Sequence, residues 1–394
     1  MTESSADGRL RTYWNRLTTE ERGVGGFVCV SAVVLLAAML GGVLNPTYFL
    51  FLLGLAGMFA LLSLGLNAQW GYSGLINFSV AAFFGLGAYG AALATATNSP
   101  IAGGLNPLVG LVVGLSLASV VAVGIAIPTL RLRADYLAIA TLGLAEVLRL
   151  IILNERQWTN GSAGLRGIPT FFEGWPLLGT LPETLPTIRI EIVPGSPVFF
   201  DSNFFGQLLN VSVALSFLAI SFFILRRVHQ SPWGRTLRTI RSDEDLAKAL
   251  GKNTFRFKLQ AFVLGSLIMA LAGVFYAHLN LFVNPEELDP ITTFYVWVAV
   301  ILGGSGSNRG ALFGGFIVVA IREAPRFIET VPLVAVDPAP LRLLAIGVLI
   351  VLVMRFRPEG ILPPQRELIW PSVVDDPPKR PESGVREARG GGDE

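Results

Sequence analysis

Long apolar runs alternate with short polar interruptions along the chain, and the length of the runs decides the fold class. A bilayer core about 30 Å thick takes roughly 20 helical residues to cross. Apolar stretches near that length recur at 24–44, 48–66, 75–97, 107–130, 135–153, 204–225, 258–281, 291–304, 310–328 and 340–354. The pattern predicts an all-α integral membrane protein with about ten transmembrane helices. Only GGSGSNRG separates the eighth and ninth runs, a sequence suited either to a tight turn or to a break at membrane depth. The first run is too long for a signal peptide, and no small-residue cleavage site follows it.

Basic residues in the interruptions predict an orientation. With 1–23 in the cytoplasm, Arg9, Arg11, Arg16 and Arg22 lie inside. So do Arg131, Arg133, Arg226, Arg227, Arg235, Arg238, Arg241, Lys248, Lys252, Arg256, Lys258, Arg355 and Arg357, whereas the outer segments hold chiefly Arg156, Arg166 and Arg189. This makes 24–357 a transmembrane domain in the cytoplasmic membrane, with an extracytoplasmic loop at 154–203, a cytoplasmic loop at 227–257 and both ends inside. The outer loop is too rich in proline for a helix and is expected to form turns and short extended pieces. The tail at 358–394 is polar and charged and reads as disordered.

Composition agrees: 52% of the 394 residues are hydrophobic and 15% charged, against about 25% charged in soluble domains. One cysteine, Cys29, excludes a disulfide framework, and His229 and His278 lack metal-ligand spacing. No metal, cofactor or nucleic acid is expected. There is no phosphate-binding loop, no HExxH and no nucleophile elbow with triad partners, so no catalytic residues are expected and an enzyme is disfavoured. No interruption is long enough for a soluble catalytic domain, and any energy source lies on another chain.

Four motifs stand out. At 243–251, Ser242 is placed to cap a helix opening with Asp243, Glu244 and Asp245, with Lys248 in its last turn and Gly251 ending it. That helix is about 12 Å long, too short to span, with Leu246, Ala249 and Leu250 forming one apolar face. It is either a solvated loop helix or a plug for a partner. Ahead of it, Arg235, Arg238 and Arg241 recur every three residues with Trp233, Leu237 and Ile240 on another side, a pattern suited to the inner headgroups.

The run at 71–92 is dense in small residues. Either close helix packing or a pathway lining explains it, the latter built from Asn67, Gly71, Ser73, Gly74, Asn77 and Phe78. GxSG recurs at Gly303, Gly304, Ser305 and Gly306, by internal duplication or by chance. Glu146 and Arg149 lie i, i+3 within the fifth run, where a mutual salt bridge is preferred to a functional polar spot.

Taken together, the runs at 71–92, 131–153, 159–169, 231–277, 300–315 and 355–362 resemble the permease subunits of branched-chain amino acid ABC importers. The resemblance covers most of 45–362. It implies a second, homologous permease subunit, two cytoplasmic ATP-binding subunits, an extracytoplasmic solute-binding protein and a small amino-acid-like substrate. It also implies that 243–251 is the coupling helix seated in an ATPase cleft. Relatives often carry His or Gln at the position of Val80, which bears on substrate choice. Import of urea, amides or another small polar solute stays open, as does a stand-alone ion-coupled carrier.

Overall fold

The structure, a computed structural model, describes residues 44–191 and 197–323, with scattered positions in 23–42 and 344–364. The runs at 24–44 and 340–354 fall mainly outside the described residues, as do 1–22 and the tail from 365.

Ten helices carry the described fold. They are α1 (Pro46–Leu66), α2 (Val80–Thr95), α3 (Pro107–Thr129), α4 (Ala134–Asn154), α5 (Ser202–Gln230), α6 (Pro232–Ser242), α7 (Glu244–Ala249), α8 (Thr254–Asn280), α9 (Pro290–Gly303) and α10 (Asn308–Glu323). Four begin alike: Asn45, Asn106, Ser231 and Asp289 each present a side-chain oxygen to a first-turn amide, followed by proline at the first helical position. Proline loses nothing there, because that amide has no intrahelical partner. Among the described residues five helices are long and apolar enough to cross a membrane: α1 with its continuation to Gly71, α3, α4, α5 and α8.

Helices α1 and α8 form the core, with 78% of their apolar windows buried. Small residues let backbones meet. A Cβ on Gly65 would stand 2.8 Å from the Gly265 carbonyl, and one on Gly315 of α10 would stand 2.6 Å from the Ala60 Cα of α1. Around this core α3, α4 and α5 are mostly uncovered.

Connections gather at two opposite ends. One end collects the α2–α3 turn, the strap at 159–169 and the turn after α8. There Leu165 pairs with Val283 in a two-stranded ribbon, and the Arg166 amide donates to Asn98 Oδ1 at 2.8 Å. The proline-rich segment beyond forms single turns and the hairpin Ile188–Ile190 with Val198–Phe200. The other end collects the α1–α2 break, the α6–α7 region, the start of α8 and the α9–α10 turn; Arg131 lies over the Phe255 ring there.

Three expectations are corrected. The run at 75–97 is helical only from Val80, because Gly74 takes a left-handed φ of 72° and ends the preceding turn. Ser242 is the last residue of α6 and Asp243 is the cap of α7, accepting from the Leu246 amide at 2.9 Å. The row of arginines does not point to headgroups throughout. Arg238 donates to the His229 carbonyl at 2.8 Å, Arg241 turns inward, and Trp233 donates to Gln260 of α8 at 2.7 Å.

Candidate translocation and coupling site

The first feature is a broken helix. After Leu66, α1 widens into a π-helical turn at Asn67–Gly71, stays helical to Ser73, and regular structure lapses from Gly74 until Val80. The break is held by its own polar side chains. Gln69 Nε2 donates to the Phe262 carbonyl at 2.7 Å and to Ser266 Oγ at 3.1 Å, while its Oε1 accepts from Asn77 Nδ2 at 2.7 Å. Asn77 Oδ1 then accepts from the Ser79 amide at 2.8 Å, and the Phe78 amide donates to Thr141 Oγ1 at 3.0 Å. Phe262 stands eight residues into α8, about 12 Å from the helix start, so the break packs against the first third of that helix.

A second break faces it. Between α9 and α10, Gly304 and Gly306 adopt φ of 114° and 90°. The Gly306 amide donates to Asn67 Oδ1 at 2.7 Å, and Asn67 Nδ2 donates to Asn308 Oδ1 at 3.0 Å. Tyr72 also donates to Asn308 Oδ1, at 2.5 Å, and the Leu362 amide reaches the Gly303 carbonyl at 2.9 Å. The two GxSG runs are thus neighbours in space. Of the ten expected lining residues, Gly74, Phe78 and Ser305 are partly exposed, whereas Asn67, Gly71, Ser73, Asn77, Gly303, Gly304 and Gly306 are buried within the chain.

Arg241, in the last turn of α6, joins both breaks. Its guanidinium donates to the Gly71 carbonyl and, at 3.2 Å, to Ser305 Oγ. One step further, Glu244 pairs with Lys258 and accepts from Thr254 Oγ1 at 3.0 Å, tying α7 to the first turns of α8. Burial pushes the Glu244 carboxyl up, but the hydrogen bonds from Lys258 and Thr254 outweigh it and hold the group below its usual range. Ala247 is the buried residue of α7, and Leu246 and Leu250 are 52% and 65% exposed. Ala249 and Asp245 are exposed as well. Gly251 closes the helix with φ of 75° and donates to the Lys248 carbonyl at 2.9 Å.

Glu146 and Arg149 pair in two-pronged fashion, at 2.6 and 2.9 Å. Glu146 lies twelve residues into α4, about 18 Å from its start. A single charged side chain at bilayer centre costs roughly 2.5–3.5 kcal/mol, and pairing within the turn lowers that cost.

Sequence reasoning missed Arg241 as a link, Gln69 as the centre of the first break, and Trp297, which donates to the Asn77 carbonyl at 3.1 Å and stacks on Phe78 at 5.0 Å. It also missed Glu287, which accepts from Tyr276 at 2.6 Å beside α9. A polar residue amid an apolar run was the available signal for Gln69. None existed for the pairings across the fold.

Residues 48–354 match the family model described as "Branched-chain amino acid transport system / permease component". The chain is 33% identical over 324 residues to the high-affinity branched-chain amino acid transport system permease protein LivM of Escherichia coli, covering 78% of this chain and 68% of that one. It is 27% identical to a probable LivM of Methanocaldococcus jannaschii, covering 80% and 93%. It is 25% identical to the permease protein LivH of Escherichia coli, covering 68% and 82%. No solved structure matches. Apolar helices of spanning length and a family match over most of the chain agree, and the chain belongs to the branched-chain amino acid transport permease family, as a multi-pass membrane permease component and not an enzyme.

Proposed function

We propose that this chain is one permease subunit of an ATP-binding-cassette importer for branched-chain amino acids. It pairs with a second, LivH-like permease, receives substrate from an extracytoplasmic binding protein, and is worked by two cytoplasmic ATPase subunits that grip 243–251. The N- and C-termini and the α6–α7 region are cytoplasmic, in keeping with the basic residues gathered at that end.

The observation that carries the reading is the linkage at α6–α7. A capped helix offers two exposed leucines outward, and its neighbours reach inward through Arg241 to both broken helices and through Glu244 to α8. A push on α7 therefore reaches the glycine breaks beside the partly exposed Gly74, Phe78 and Ser305. ATP binding then favours whichever permease state docks α7 better, and access switches from outside to inside.

The test is uptake of labelled leucine by proteoliposomes holding the full complex. Leu246→Asp with Leu250→Asp is expected to release the ATPase subunits and abolish uptake, with the permease pair intact. Arg241→Ala is expected to keep the ATPase subunits bound and hydrolysing while uptake falls at least tenfold. Normal uptake by the leucine double variant would refute the coupling assignment, and failure of the wild-type complex to take up leucine would refute the substrate.

A further inference from the structure

A cleft of about 390 Å³ opens where α6 begins, between the end of α5 and the early turns of α8. Its walls are Val228 and Ser231, Trp233 of α6, and Gln260 and Leu264 of α8. Most of the polar atoms in those walls are already bonded within the chain. Ser231 Oγ donates to the Val228 carbonyl at 2.6 Å, and Trp233 Nε1 donates to Gln260 Oε1 at 2.7 Å, which leaves the amide nitrogen of the exposed Gln260 at the rim. Water finds few partners against such walls.

Helix length sets the depth of the cleft. With 29 residues α5 is about 43 Å long, well beyond a bilayer core of roughly 30 Å, and its apolar run stops at Leu225, just before the cleft. Ile220, Ile224, Arg227 and Ser231 are spaced i, i+4, i+7 and i+11, so one side of α5 leads from apolar residues past an arginine into the cleft. Ile220 and Ile224 are 54% and 47% exposed, and Arg227 is exposed as well. On α8 the exposed Arg256 shares a side with Gln260 and Leu264, at i, i+4 and i+8. The ion pairs at this end join Lys248 and Lys258 to Glu244 and Asp245, and Arg227 and Arg256 have no acidic partner among the described residues.

We infer that the cleft is a binding site for an anionic phospholipid, its phosphate between Arg227 and Arg256, its glycerol esters beside Trp233 and Gln260, and an acyl chain along Ile224 and Ile220. Charge and depth together select this occupant: two unneutralised cations stand at headgroup level above an apolar lane that only a molecule with an acyl tail can follow. A bound lipid braces the start of α6 against α5 and α8. The site requires that the chain span a bilayer and is independent of ATPase coupling.

The first test is native mass spectrometry of the detergent-purified complex supplied with equal amounts of phosphatidylglycerol and phosphatidylcholine. Phosphatidylglycerol is expected to be retained about tenfold in preference. Arg227→Gln with Arg256→Gln is expected to abolish the preference, and Arg189→Gln, at the opposite end of the protein, to leave it unchanged. No preference in the wild type, or one that survives in the arginine double variant, would overturn the proposal. A second arm keeps both arginines. Gln260→Cys in a Cys29→Ser background, labelled with a thiol-reactive benzophenone, is expected to crosslink phosphatidylglycerol in vesicles. Crosslinking instead to the second permease, to an ATPase subunit or to residues 1–43 of this chain would make the cleft a protein contact and overturn the proposal.

Discussion

Helices α3 and α8 are both apolar enough to cross a membrane, yet 28% of the apolar window of α3 is buried and 78% of that of α8. The more buried helix is the less apolar one. Hydropathy states that a segment leaves water. It does not distinguish protein from lipid, because acyl chains and leucine side chains are alike as surroundings. What marks α8 as central is its small and polar content: Gly265 and Gly273 at backbone approaches, and Ser266 and the Phe262 carbonyl bonded to Gln69. The residues of α3 that face outward, Val112 and Val120 among them, are largely exposed among the described residues.

The contrast breaks or sharpens under substitution. The largest effect is expected where backbones touch. Gly315→Leu drives a side chain into the Ala60 backbone, and fluorescence-detected size exclusion of a fusion should show no monodisperse peak. Gln69→Leu strips partners from Asn77, Ser266 and the Phe262 carbonyl, and should destabilise the detergent-solubilised protein by about 1–3 kcal/mol in thermal unfolding. Val120→Ala, at a residue 72% exposed on α3, should change stability by less than about 0.5 kcal/mol. A larger loss at Val120 than at Gln69 would mean that α3 is more tightly packed in the assembled protein than the contact of Gln69 with α8.

The two breaks extend the same lesson to the site. Each loop is rich in glycine, and each could be read as a turn or as packing until the other is placed beside it. Asn67 reaches Gly306 across 239 residues, and Arg241 reaches Gly71 across 170 and Ser305 across 64. These bonds make the breaks one unit with the α6–α7 region.

The sequence by itself determined what depends on neighbours within a turn or on segment length. That includes the apolar segments of α1, α3, α4, α5 and α8, the short helix ending at Gly251, and the Glu146–Arg149 pair. Where two local signals competed, the sequence pattern misjudged: Ser231 starts α6 early enough that the helix runs through Ser242, leaving Asp243 as the next cap. Only the tertiary structure decided which apolar helices form the core, where the helical run at 75–97 begins, and which carbonyls Arg241 meets. Those outcomes turn on partners tens to hundreds of residues away, whose approach depends on how closely whole helices pack, and no periodicity within one segment encodes that distance.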